Sequence, residues 1–83
     1  MTVIVPADGM ETEKALRALV NHRGPAYVRL SRMDFPVLFD AGYEFVVGRG
    51  TVMKAGGDVT IFAAGYMVSQ ALKAAGQLEG ERI

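Results

Sequence analysis

The arrangement that most constrains this chain is strand, helix, strand, packed into residues 2–31 with only short links between them. Thr2-Val-Ile-Val5 is a β-branched apolar run closed by Pro6, which reads as a strand buried on both faces. Asp8 then stands as a helix N-cap, with Glu11 three residues on in the capping-box position. Thr12, Leu16, Leu19 and Val20 follow at helical spacing, and Glu13 and Arg17 form an i,i+4 pair. His22 and Arg23 are expected in the last turn, where positive charge favours the carbonyl end; Gly24 ends the helix and Pro25 forbids its continuation. Ala26–Ser31 is the second strand. A helix between two strands makes them parallel, joined by a right-handed crossover.

After Arg32 the pattern changes. Residues 33–41, MDFPVLFDA, carry a proline, mixed polarity and no period, and read as a connector. Residues 43–47 and 51–54 are β-like on either side of Gly48-Arg-Gly50, whose glycines mark a turn or a bulge. Ala55-Gly-Gly-Asp58 is a stronger turn, and residues 59–64 are another apolar strand, expected to pair with 51–54 as a hairpin. Gly65 is a tight hinge into a helix whose Val68, Ala71, Leu72, Ala75 and Leu78 share one face. The fold class is therefore α/β: incomplete, mostly parallel sheet pieces, β-α-β and then β-β-α. An open parallel sheet needs helices on both faces, and two helices are too few to close it. The pattern resembles a piece that crosses a domain boundary near residues 33–42.

Composition excludes several function classes. Nine basic and nine acidic residues cancel, which leaves no electrostatic footprint for nucleic acid or an anionic membrane. No apolar run approaches the ~20 residues of a membrane span, and no basic leader precedes an apolar stretch, so a cytoplasmic location is expected. There is no cysteine, hence no disulfide framework and no thiolate metal site.

Few residues carry chemistry. His22 is the sole histidine, so neither a zinc site nor a Ser-His-Asp triad has its parts, and a solvated side chain at the helix end is expected. Glu11 and Glu13 lie two apart and diverge on a helix, serving as cap and ion pair. Asp34 and Asp40 suit turn roles in the connector. GRGTVMKAGG fails as a phosphate loop, since no Gly-Lys-Ser/Thr follows at the required spacing, and Met53 occupies the place of the third dinucleotide glycine. Arg32 remains. It falls at the carboxyl end of a parallel strand, the edge where open α/β sheets bind ligands, and its planar fork suits phosphate; a loop or interface salt bridge is the alternative role.

Three phrases, VIVPADGMETEKAL, GPAYVRLSR and DVTIFAAGYMVSQALKAA, resemble in order and spacing the C-terminal half of transketolases, above all the split type encoded as N-terminal and C-terminal subunits. The resemblance implies that residues 1–32 end a pyrimidine-binding-like domain, 33–42 form a connector, and 43–83 begin a transketolase C-terminal-like domain. It further implies transfer of a two-carbon ketol unit between sugar phosphates by an enzyme using thiamine diphosphate and a divalent metal. Arg32, after Leu-Ser, matches the family's arginine for the sugar-phosphate tail. The cofactor-activating glutamate, the substrate histidines and the Gly-Asp-Gly metal motif of the family have no counterpart here. No catalytic, cofactor or metal residue is therefore assigned, and no cofactor is expected on this chain alone. The implied partners are the N-terminal portion or subunit of transketolase, a sugar phosphate and further copies of the chain; a non-enzymatic oligomerisation or chain-complementation module is the alternative.

Overall fold

The structure, a computed structural model, describes residues 1–83. Its elements are β1 (Thr2–Ile4), α1 (Gly9–Leu19), β2 (Ala26–Val28) and α2 (Met67–Gly80). β1 and β2 pair in parallel, with Thr2 opposite Ala26 and Ile4 opposite Val28, so the βαβ unit forms as expected.

Both strands are shorter than their apolar runs, and the register shows why. The Thr2 N–H donates to the Pro25 carbonyl at 3.1 Å, and the Arg29 N–H to the Ile4 carbonyl at 2.9 Å. Even-numbered residues of β1 therefore turn their backbone groups toward β2. The next donor in that series belongs to Pro6, which has no N–H, and the ladder stops there. β1 is also covered less than expected: Ile4 is buried, but Val3 is 60% exposed.

Odd-numbered residues of β1 present their backbone groups to the opposite edge. There the Val5 carbonyl accepts the Gly65 N–H at 3.0 Å. Gly65 sits at φ +60°, and a Cβ on it would come within 2.8 Å of Val5 Cγ1. Only glycine lets the second half of the chain approach β1 so closely.

α1 begins at its Asp8 N-cap and ends at Leu19, one turn earlier than Gly24 suggested. His22 lies beyond the helix, where its Nε2 is 3.0 Å from Thr2 Oγ1 and ties the helix exit to the start of β1. Gly24, at φ +95°, makes the reversal into β2. The expected apolar face of α2 is half-buried, from Val68 to Leu78.

The hairpin of 51–54 with 59–64 does not form. From Glu44 to Ala64, outside helices and strands, only the Arg49 N–H reaches a backbone carbonyl, that of Val46 at 3.1 Å, closing a turn with Gly48 at φ +83°. The glycine pair is thus a turn. The remainder is an arc with Val52, Val59 and Phe62 exposed by 83, 61 and 93%. A two-stranded hairpin is marginal by itself, and an all-apolar strand needs cover on both faces. The arc has neither. It encloses a hollow of about 1120 Å³ against β1 and the apolar face of α2. The radius of gyration, 14.0 Å, exceeds the roughly 12 Å of a closed domain of this length.

Candidate functional site

The carboxyl ends of β1 and β2 and the first turn of α1 converge on a cleft of about 380 Å³. Pro6, Asp8, Gly9 and Thr12 form one wall, and residues from Leu30 to Phe35 the other. This is the edge at which an open α/β sheet presents ligand-binding groups. Ser31, Met33 and Asp34 line the cleft. Arg32, between them, does not line it and is exposed.

Arg32 stands four residues past the end of β2, so it belongs to the loop after the strand and not to the strand itself. The two salt bridges of the molecule join Arg17 to Glu13 and Lys54 to Glu79, and Arg32 takes part in neither. Its guanidinium is therefore not spent on an internal carboxylate. Arg29 is also exposed, its backbone closing the ladder.

Asp8 organises the cleft. It is 2% exposed, and its carboxylate accepts three backbone hydrogen bonds. Oδ1 takes the Glu11 N–H at 2.7 Å, which is the cap; Oδ2 takes the N–H groups of Leu38 at 2.7 Å and Phe39 at 2.8 Å. A buried carboxylate demands such partners, and here they satisfy both oxygens. The capping box is completed one residue early, by the Ala7 N–H donating to Glu11 Oε1 at 3.0 Å.

The other oxygen of Glu11 accepts the Tyr43 hydroxyl at 2.7 Å, and Lys14 Nζ donates to the Ala41 carbonyl at 2.9 Å. Asp8, Glu11 and Lys14 are spaced by three, so they form one stripe of the helix, and that stripe holds residues 38–43. Burial pushes the Tyr43 phenol above its ordinary value of 10.0; the hydrogen bond to Glu11 and its negative charge add to this, while Thr51 opposes it. Asp40 makes the expected turn, accepting the Gly42 N–H at 2.9 Å. The connector is thus a fastened segment. Nothing in its own sequence announces this, because its partners lie about thirty positions away.

No three side chains of metal-ligating type come together, and the carboxylate of Asp8 is occupied by backbone donors. The residues present do not fit a metal–diphosphate group. No helix is long and apolar enough to cross a membrane.

No protein-family model matches the chain. Individual relatives do. It is 40% identical, over 83 residues, to the 6-deoxy-6-sulfo-D-fructose transketolase subunit SqwH of Clostridium sp. (strain MSTE9), covering all of this chain and 26% of that protein. A putative transketolase C-terminal section from Methanocaldococcus jannaschii is 37% identical over 76 residues, 89% of this chain and 24% of its own length. Human transketolase is 36% identical over 84 residues, 99% of this chain and 14% of its own length. The chain spans about a quarter of the transketolase subunits and sections that it matches, and a seventh of the full-length human enzyme. Matching at this level from end to end, it belongs with the transketolase family as a stretch of the C-terminal section.

Proposed function

We propose that this chain contributes part of the substrate-phosphate site of a transketolase-like enzyme, one that moves a two-carbon ketol unit between sugar phosphates. Arg32 is the phosphate ligand in this reading. The observation that carries it is an arginine at the carboxyl edge of the sheet, following Leu-Ser in a transketolase-related chain and unpaired with any carboxylate. A guanidinium there offers two parallel N–H donors to a phosphate.

Thiamine diphosphate and a divalent metal belong to the complete enzyme and supply its carbanion chemistry. The groups that would hold them lie outside these residues, so the chain is inactive alone. Its partner is the N-terminal portion or subunit of a transketolase, and residues 1–32 and 43–83 are the end of one domain and the start of the next. The exposed arc between Glu44 and Ala64 supports this need for a partner, since its apolar side chains find no cover within the chain. The same observation favours a second reading, a non-enzymatic module that complements another chain.

Titration with a pentose phosphate tests the assignment. Arg32→Ala is expected to weaken binding roughly ten- to a hundredfold, the worth of hydrogen bonds to a charged group. Equal affinity in the two proteins would remove Arg32 from the site.

A further inference from the structure

The loop that carries Arg32 is fixed at two points. At its start, the Arg29 N–H is bonded to the Ile4 carbonyl at the last rung of the ladder. At its end, the Leu38 and Phe39 N–H groups converge on Oδ2 of Asp8. Between them, Leu30, Ser31, Met33, Asp34 and Phe35 line the cleft beside the first turn of α1, with the Met33 N–H donating to Ser31 Oγ at 3.2 Å. The ring of Phe35 lies 5.5 Å from that of Tyr66, just before α2.

We propose that Asp8 is a positioning residue for Arg32: one carboxylate oxygen caps α1, and the other closes the loop that presents the guanidinium. This rests on the reading of Arg32 as an anion ligand. A helix cap needs a single oxygen, and serine or asparagine serves as well as aspartate. What the second oxygen does is therefore separable from capping. It holds two adjacent backbone donors thirty residues away, which a serine in the same place cannot do.

The clamp lowers the entropy of the loop before any ligand arrives. A binding residue on an ordered loop loses less freedom on capture than one on an open chain. If release of Oδ2 lets the binding-competent arrangement fall to about a tenth of the population, the apparent phosphate affinity falls about tenfold.

The test compares the wild-type chain, Asp8→Ser, Leu38→Pro and Arg32→Ala, each labelled with nitrogen-15. Three quantities are read: helical circular dichroism, amide exchange at Phe39 with the mobility of residues 30–37, and titration with inorganic phosphate. Asp8→Ser is expected to keep the helix signal, speed exchange at Phe39, mobilise the loop and weaken phosphate binding about tenfold. Leu38→Pro deletes one of the two clamped donors without touching the cap, so it is expected to shift the same readings by less, and it decides the matter if Asp8→Ser loses its helix. Unchanged exchange and mobility in both variants would mean that Asp8 only caps, and the proposal falls. A loosened loop with unaltered phosphate affinity would overturn the link to Arg32. Equal phosphate binding by wild type and Arg32→Ala would instead refute the Arg32 assignment, and the closure of the loop would then be decided by the exchange rates.

Discussion

At the scale of single residues, two positions show how far local chemistry dictates this structure. Asp8 was legible as a cap because a short acceptor before a helical period has one obvious use. Its second oxygen was not, since no local pattern encodes a bond to a segment thirty residues distant. Gly65 was legible as a hinge, but the reason for glycine is the neighbouring strand. A side chain there meets Val5 Cγ1 at 2.8 Å and must also adopt a positive φ. Left-handed backbone alone costs about 1–2 kcal/mol for an ordinary residue. Gly65→Ala is accordingly expected to destabilise the contact between the two halves of the chain by about 2 kcal/mol or more, seen as a lower denaturant midpoint for α2 than for α1. An unchanged midpoint would show that Val5 and the hinge relax freely.

At the scale of elements, the βαβ unit followed the sequence because every signal agreed: cap, period, stop and flanking β-branched runs. Its boundaries did not, because the length of β2 is set by the missing donor of Pro6, just beyond the other strand. The arc 44–64 failed as strands for a tertiary reason, since β-propensity becomes a ladder only beside a neighbour. The link between α1 and the connector carries its own pH dependence. Tyr43 is held neutral, above its ordinary 10.0, by burial first and by Glu11 second. Folding raises this pKa, so the stabilisation is complete below the unfolded value and is lost as pH rises through the folded one. Stability is therefore expected to decline above about pH 10 more steeply in the wild type than in Tyr43→Phe, which has no phenol at this position to ionise. Identical alkaline profiles from thermal melts would exclude Tyr43 as the cause. At the far end of the chain, Lys54 holds Glu79 below its ordinary 4.5 by hydrogen bond and charge, fastening the arc to α2 only at the surface.

At the scale of the whole molecule, seven of 83 residues are buried, and only Ile4, Ala7 and Ala15 of these are counted as apolar core. Burial of apolar area is the main term that offsets chain entropy, and little of it is present. The exposed Val52, Val59, Ile61 and Phe62 lie along one stretch of backbone with unpaired N–H and C=O groups, a template for another strand. Sedimentation equilibrium is expected to give a mass above 8.9 kDa that grows with concentration. A fixed monomer mass across the range would mean the arc covers itself in solution. The α/β class and the family were both readable from the sequence. The deficit in core was readable only in outline, as too few helices for the sheet.

The stripe of Asp8, Glu11 and Lys14 gives this sparsely packed molecule an uneven cooperativity. Nearly all that binds the connector to the rest passes through two turns of one helix. Fraying at the N-terminal end of α1 therefore releases residues 38–43 in the same event, whereas fraying at its C-terminal end loosens the His22 link to β1 and leaves the connector in place. Melting has a direction here: the calorimetric enthalpy and the enthalpy inferred from a single probe will agree only for probes placed along that stripe.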